Sequence, residues 1–561
     1  FLTRRSFMKP FPLLLCTVFA LGACASTPAA PAPEPQPRAE PATTPEPAEP
    51  PAAAAEPPAD PPVPVAPERW LHLHTFGAGV PGAAVDSAHA LLAGRTARRE
   101  VVVAVIDGGV DITHEDLDGV LWANEDEIPG NGVDDDGNGY VDDIHGWNFI
   151  GGPSGESVGH DTYELTRLHA ACLGRPAAGP LQAPGAAECA ALEAAYEEER
   201  QELMGMSMQL QQISAMVDNA MAVLGRALND NVTPERVAAL RPLDAQVGQA
   251  RQMYLQLQSM GIDQEVISHE GEAIQSRLEY GLNLDFDPRP IVGDDYADPT
   301  ERFYGNADVA GPDPGHGTAV ASLIAAERDN GVGIDGVSDA VRIMAVRAVP
   351  NGDERDKDVA NAIRYAVDNG AHIINMSFGK AYSPFKEVVD RAVAYAEEHG
   401  VLLVHAAGND ATDLSETPNF PNDVLPGGQA ALWLEVGASA WQGPDRLAAV
   451  FTNYGVAEVD IFAPGTGLMT AKPGNEYGPS DGTSLAAPVV SGVAALLMAY
   501  FPELGAAETR ALILESATPL RDRVVLLPGA EQETIRFGEL SATGGIVNAA
   551  AAVQAAGAGN R

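Results

Sequence analysis

Basic side chains are scarce in this chain, with 34 Lys and Arg against 78 Asp and Glu, a formal charge of −44. That balance excludes a nucleic-acid partner, since phosphate binding needs a basic face. Cysteine is scarce too: Cys16, Cys24, Cys172 and Cys189 are all there are in 561 residues. Near the N-terminus the apolar run from Leu13 to Ala20 is too short to cross a bilayer. What is plentiful is ordinary for a folded protein, with 45% apolar residues, so a sizeable core is expected. The length allows several domains, although one large α/β unit can use over half of it.

Residues 1–24 read as an export signal, outside the fold. TRRSFMK (3–9) is close to a twin-arginine signal, and translation from Met8 would drop its arginine pair. LGAC, ending at Cys24, resembles the lipobox of bacterial lipoproteins. The resemblance implies lipidation of Cys24 and, because Ala25 is not an aspartate, sorting to the outer membrane of a Gram-negative cell. The expected location is therefore the cell envelope, with the N-terminal lipid as the only membrane contact. Residues 25–67 are almost wholly Pro, Ala, Glu and Thr, a composition that stays extended and acts as a tether. With Cys16 and Cys24 assigned to the signal and the lipid, Cys172 and Cys189 remain as a disulfide candidate in an oxidising compartment.

Beyond the tether the pattern alternates. VVVAVI (101–106) is a continuous β-branched run, as in a strand buried on both faces, and it stops at Asp107. Helical periodicity over 81–94, 316–326, 358–370 and 384–400 interleaves with strands at 341–347, 372–377 and 401–409. Val489 to Tyr500 reads as a buried helix, with Pro488 in its first turn. This order predicts an α/β fold, a doubly wound and mainly parallel sheet. Residues 68–150 and 301–561 supply the sheet domain, and 151–300 form a mainly helical insertion. Within it, 188–227 and 234–280 predict two or three antiparallel helices, with Met204, Met206, Met208, Met216 and Met221 in their core.

Acyl transfer by a serine needs a base beside the hydroxyl, a carboxylate behind the base and donors for the oxyanion. Asp107 at a strand end, His316 opening HGTAVA, Asn409 closing AAGN and Ser484 in GTSLAAP supply those types in order. On those motifs the chain resembles subtilisin-like serine proteases, over 100–150 and 305 to about 520. The resemblance implies an endopeptidase acting on polypeptides. His316 is then the general base, Asp107 its partner and Ser484 the nucleophile, with Asn409 and the Ser484 N–H as oxyanion donors. It also implies substrate strands at Ser377-Phe378-Gly379 and Ala406-Ala407-Gly408, and no cofactor for catalysis. Gly108 and Leu485 depart from the Ser or Thr and the Met usual there, and neither touches a reacting group. No inhibitory propeptide is legible, because 25–67 cannot fold and 68–100 are too few. A second reading, a tethered binding protein of protease shape, requires an occluded cleft.

NGVDDDGNGYVDD (131–143) sets Asp134, Asp136, Asn138, Tyr140 and Asp142 at the alternating positions of a calcium loop. His145 occupies the place of the bidentate glutamate, which excludes a complete EF-hand. A structural Ca²⁺ bracing this loop is expected.

Overall fold

The computed structural model describes residues 66–559, apart from 68, 75–78, 243 and 260–262. The signal, Cys24 and the tether up to residue 65 lie outside the described residues. Nine strands form the central sheet: β1 (Val101–Asp107), β2 (Gly146–Asn148), β3 (Val341–Arg347), β4 (Ile373–Met376), β5 (Leu402–Ala406), β6 (Trp433–Ser439), β7 (Ile461–Pro464), β10 (Thr518–Pro519) and β11 (Gly545–Ile546). A separate hairpin, β8 (Leu468–Lys472) with β9 (Glu476–Ser480), stands beside it. The sheet order is β10-β11-β7-β6-β5-β4-β1-β3-β2, parallel throughout except for the edge pair β10–β11.

Why the sheet is covered on both faces follows from β1. Val101, Val103 and Val105 point into one core, Ala104 and Ile106 into another. The first core contains α1 (Val85–Leu92), α7 (Gly315–Ala325), α10 (Thr483–Tyr500) and α12 (Ala549–Gly559). The second contains α8 (Asp356–Asp368) and α9 (Lys386–Glu398). α11 (Ala506–Glu515) packs against α10 and α12. Among the described residues α10 is the one helix long and apolar enough to cross a bilayer, and it is a core helix here, 94% buried. The chain winds from β1 to β3 on one side and resumes with β4 on the other. Open α/β sheets place ligands at the carboxyl ends of such a switch.

The insertion is a helical hairpin on a short base. α2 (Glu164–Leu173) is joined by the Cys172–Cys189 disulfide to α3 (Ala186–Leu228), a helix of 43 residues. α4 (Pro234–Ala239), α5 (Ala245–Ser259) and α6 (Gln264–Ser276) run back along α3 in succession. Gln264 reaches Asp218 at one end, and Arg277 reaches Glu199 at the other. Met206 and Met221 pack in this hairpin, whereas Met204, Met208 and Met216 are exposed. The expected methionine core is thus corrected. The buried stripe is Leu203, Leu210, Ile213, Val217 and Leu224, and the exposed methionines lie on other faces of α3.

Candidate active site

Asp107 is the last residue of β1 and His316 the second of α7, and the fold sets them side by side. His316 Nδ1 lies 2.8 Å from Asp107 Oδ1 and 3.0 Å from Oδ2. The carboxylate is buried while the imidazole is half-exposed, with 3% and 50% of the two side chains accessible. Burial works against the imidazolium, but the Asp107 charge and hydrogen bond outweigh it and raise the His316 pKa above its ordinary value. The Asp107 bond also orients Nδ1 inward, leaving Nε2 as the working nitrogen.

Ser484 is the second residue of α10, where backbone N–H groups lack intrahelical partners. The Thr483 N–H is taken by Asn409 Oδ1 at 2.9 Å, and the Leu485 N–H by Gly482 O at 3.1 Å. Between them the Ser484 N–H is left to an incoming oxyanion. Thr483 Oγ1 also donates to Asn409 Oδ1, at 3.0 Å, which turns the Asn409 amide nitrogen the other way. That nitrogen and Ser484 Cβ both lie 3.8 Å from where a Cβ on Gly482 would stand. Gly482 has φ +147°, so a side chain there would be strained although it has room. With Asn409 in the oxyanion role that the sequence resemblance implies for it, Asn409→Ala is expected to lower kcat about 10²- to 10³-fold with little change in KM, read from steady-state peptide hydrolysis.

Pro488 is not in the first turn of its helix, as the sequence pattern implied. α10 begins at Thr483, which makes Pro488 its sixth residue and an interior proline. Without an N–H it offers nothing to the Ser484 carbonyl one turn back. Ser377 Oγ fills that place, donating to Ser484 O at 2.8 Å. Asn375 Nδ2 donates to Ser377 Oγ at 2.9 Å, and Ser491 Oγ donates to Asn375 Oδ1 at 2.8 Å. Sequence reasoning missed this buried chain, which fixes the nucleophile's backbone to β4. Its signal was the lone Asn and Ser in otherwise apolar elements. Ser484 Oγ itself rests on Ser377 O at 3.1 Å.

The expected substrate strands have different characters. In Ala406-Ala407-Gly408, the Ala407 N–H bonds Val436 O, Ala407 O accepts from Asn453, and the Gly408 N–H bonds Thr483 Oγ1. This strand is a wall with its backbone already paired. Ser377-Phe378-Gly379 remains as the edge for strand addition. Asn419 bridges the two: its amide donates to Ala406 O and Ala407 O, both at 3.4 Å, and stands 2.5 Å from where a Cβ on Gly379 would be. A cavity of about 250 Å³ opens beside the pair, lined by Asp107, His316, Val349, Asn351, Ser377 and Phe378.

In the acidic loop, Asp134 and Asp136 gather with Glu127, a residue the spacing did not reveal, with one oxygen from each within 4.8 Å of the others. Asn138 Oδ1 accepts from the Tyr140 N–H, and the Asp142 carboxylate from the N–H groups of Asn131 and Gly132. The Tyr140 side chain is buried against Trp147, Phe149 and Tyr365. Of the five residues expected as ligands, Asp134 and Asp136 thus form a cluster, and the other three brace the loop by contacts of their own. Three clustered carboxylates are the hard oxygen donors that suit Ca²⁺.

A model of the subtilase family matches residues 98–538. The chain belongs to the subtilase family. Among curated subtilases it is 38% identical over 225 residues to the thermophilic serine proteinase of Bacillus sp. (strain AK1), covering 40% of this chain and 50% of that one. It is 34% identical over 211 residues to subtilisin DY of Bacillus licheniformis, covering 37% of this chain and 72% of that one. The chain thus spans about half the length of the first of these subtilases.

Proposed function

We propose that this subtilase is a serine endopeptidase, cleaving polypeptides through an acyl-enzyme on Ser484. The observation that carries the proposal is the bonded Asp107–His316 pair, which lines one cavity with Ser377, the residue on which the hydroxyl of Ser484 rests at a helix N-terminus. Ser484 Oγ leaves its resting bond to Ser377 O, passes its proton to His316 and attacks the carbonyl carbon of a peptide laid along Ser377–Gly379. Asn409 and the Ser484 N–H hold the oxyanion. His316 then gives the proton to the departing amine. The signal-like N-terminus and Cys24 support export and a lipid anchor at the cell envelope, with residues 25–67 holding the catalytic body off the membrane. Glu127, Asp134 and Asp136 would hold a Ca²⁺ that neutralises their charge and stiffens the loop. No step of the reaction passes through it.

A fluorophosphonate probe tests the reaction directly. It should label Ser484, at a rate that rises with pH as His316 loses its proton. The raised pKa places that rise above the ordinary imidazole value of about 6.5. Failure to label the folded protein at any pH would favour the binding-protein reading.

A further inference from the structure

Four lysines fall among the described residues, and three of them sit on carboxylates. Lys357 reaches Asp294 and Glu301 at 2.7 Å, Lys380 reaches Asp356 at 2.8 Å and Glu164 at 2.9 Å, and Lys386 reaches Asp390 at 2.6 Å. Lys472 forms no ion pair among the described residues. It is partly buried at the end of β8, and its Nζ donates to Ser480 Oγ at 2.6 Å across the hairpin. Ser480 Oγ lies 3.2 Å from Thr470 Oγ1, so the surroundings are hydroxyl rather than carboxylate. An ammonium has three donors, and one hydroxyl occupies only one of them.

The hairpin's position says what could complete it. β8–β9 leads directly into Ser484 and packs on the His316 side. The Ala471 N–H donates to Ser322 Oγ of α7 at 3.1 Å, and Pro473 lies 3.9 Å from where a Cβ on Gly315, the residue before His316, would stand. Its tip is fastened to the loop after β1, with the Gly474 N–H on Asp111 at 3.0 Å and the Glu115 N–H on Asn475 at 2.8 Å. The edge for the acyl half of a substrate, Ser377–Gly379, follows β4 instead. The nitrogen that His316 must protonate belongs to the departing half, so that half leaves along the hairpin. Lys472 immediately precedes Pro473, the residue that packs on Gly315, so it stands on the His316 side of the cleft.

We propose that Lys472 recognises a carboxylate on the departing half of the substrate, either an acidic side chain or the free C-terminus. The inference rests on the endopeptidase reading and adds a specificity to it. A charge-assisted hydrogen bond formed in a partly dry cleft discriminates against an uncharged isostere by about tenfold.

Internally quenched peptides differing only by Glu, Gln or Lys at each of the first three positions after the cleaved bond provide the test. A second set has short departing segments ending in a carboxylate or a carboxamide. The Glu-to-Gln ratio of kcat/KM is taken within each enzyme, so loss of folded protein in a variant cancels. Wild type should favour Glu about tenfold at one position. Lys472→Met should abolish the preference, and Lys472→Glu should turn it toward Lys. An effect confined to the second set identifies the C-terminus as the ligand. Equal ratios in wild type and Lys472→Met would overturn the proposal. If wild type cleaves no peptide in either set, the endopeptidase reading fails, and this specificity with it.

Discussion

Ser484→Ala is expected to lower peptide turnover by roughly a millionfold, the scale known for loss of the nucleophile in subtilisin itself. Triad members act as a unit, so His316 and Asp107 have nothing to activate once the hydroxyl is gone. The fold should be indifferent to the change. Ser484 Oγ makes a single bond, to Ser377 O at 3.1 Å, worth about 1 kcal/mol. The Ser377 hydroxyl that fixes this part of α10 bonds the Ser484 carbonyl, which alanine keeps. Denaturant midpoints for the two proteins should therefore nearly coincide while their rates diverge. Residual cleavage near the wild-type rate would show that another group performs the attack.

The sheet was legible because burial on two faces leaves a simple mark. VVVAVI has no polar face to hide and VRIMAVR is apolar between its two arginines, and both are strands of the observed sheet. The residues expected to be catalytic stood out for a related reason. Polar groups that end apolar runs, such as Asp107 as the last residue of β1 and Asn409 after β5, have no structural excuse in composition alone. What supports them was not legible. Ser377, Asn375 and Ser491 matter through contacts between elements 107 and 116 positions apart, which no local pattern records. Glu127 joins Asp134 and Asp136 only because the loop folds back on itself. The methionines of α3 misled because a side chain's apolarity does not say which face of a helix will be covered. DERDKD (353–358) shows no sign of burial in its composition, yet Glu354, Arg355, Asp356, Lys357 and Asp358 are all buried.

That buried hydrophilic segment decides how the insertion matters. Its distal clusters, such as Leu210, Ile213 and Val217 with Ile267 and Ile274, contain insertion residues alone. Contact with the catalytic body is in part apolar, through Val158 and Val292, and in part ionic. Arg355 pairs with Asp161 at 2.7 Å, and Arg289 holds Asp358 at 2.5 and 2.9 Å. Glu164 Oε2 accepts from Arg167 at 2.7 Å and from Lys380, the residue after the Ser377–Gly379 edge, at 2.9 Å. Burial alone would raise the Glu164 pKa, but the two cations overcome it and hold the carboxyl at about 2. Glu164→Ala leaves both cations short of a partner in a dry site. It should destabilise the protein by about 1–3 kcal/mol, measured by chemical denaturation, because buried donors lose an acceptor while Asp161 beside Arg167 and Asp356 beside Lys380 still compensate part of each charge. Deleting 151–300 outright removes every insertion-side partner of Arg355, Lys357 and Lys380, and should leave no folded protease. Cutting the hairpin beyond the Glu199–Arg277 pair removes residues that pack mainly on each other, with Leu203 and Met206 the chief contacts to the base, and should keep both the fold and peptide cleavage. If the full deletion instead folds and cleaves like wild type, the ionic base is dispensable and the substrate edge is held by β4 and α10 alone.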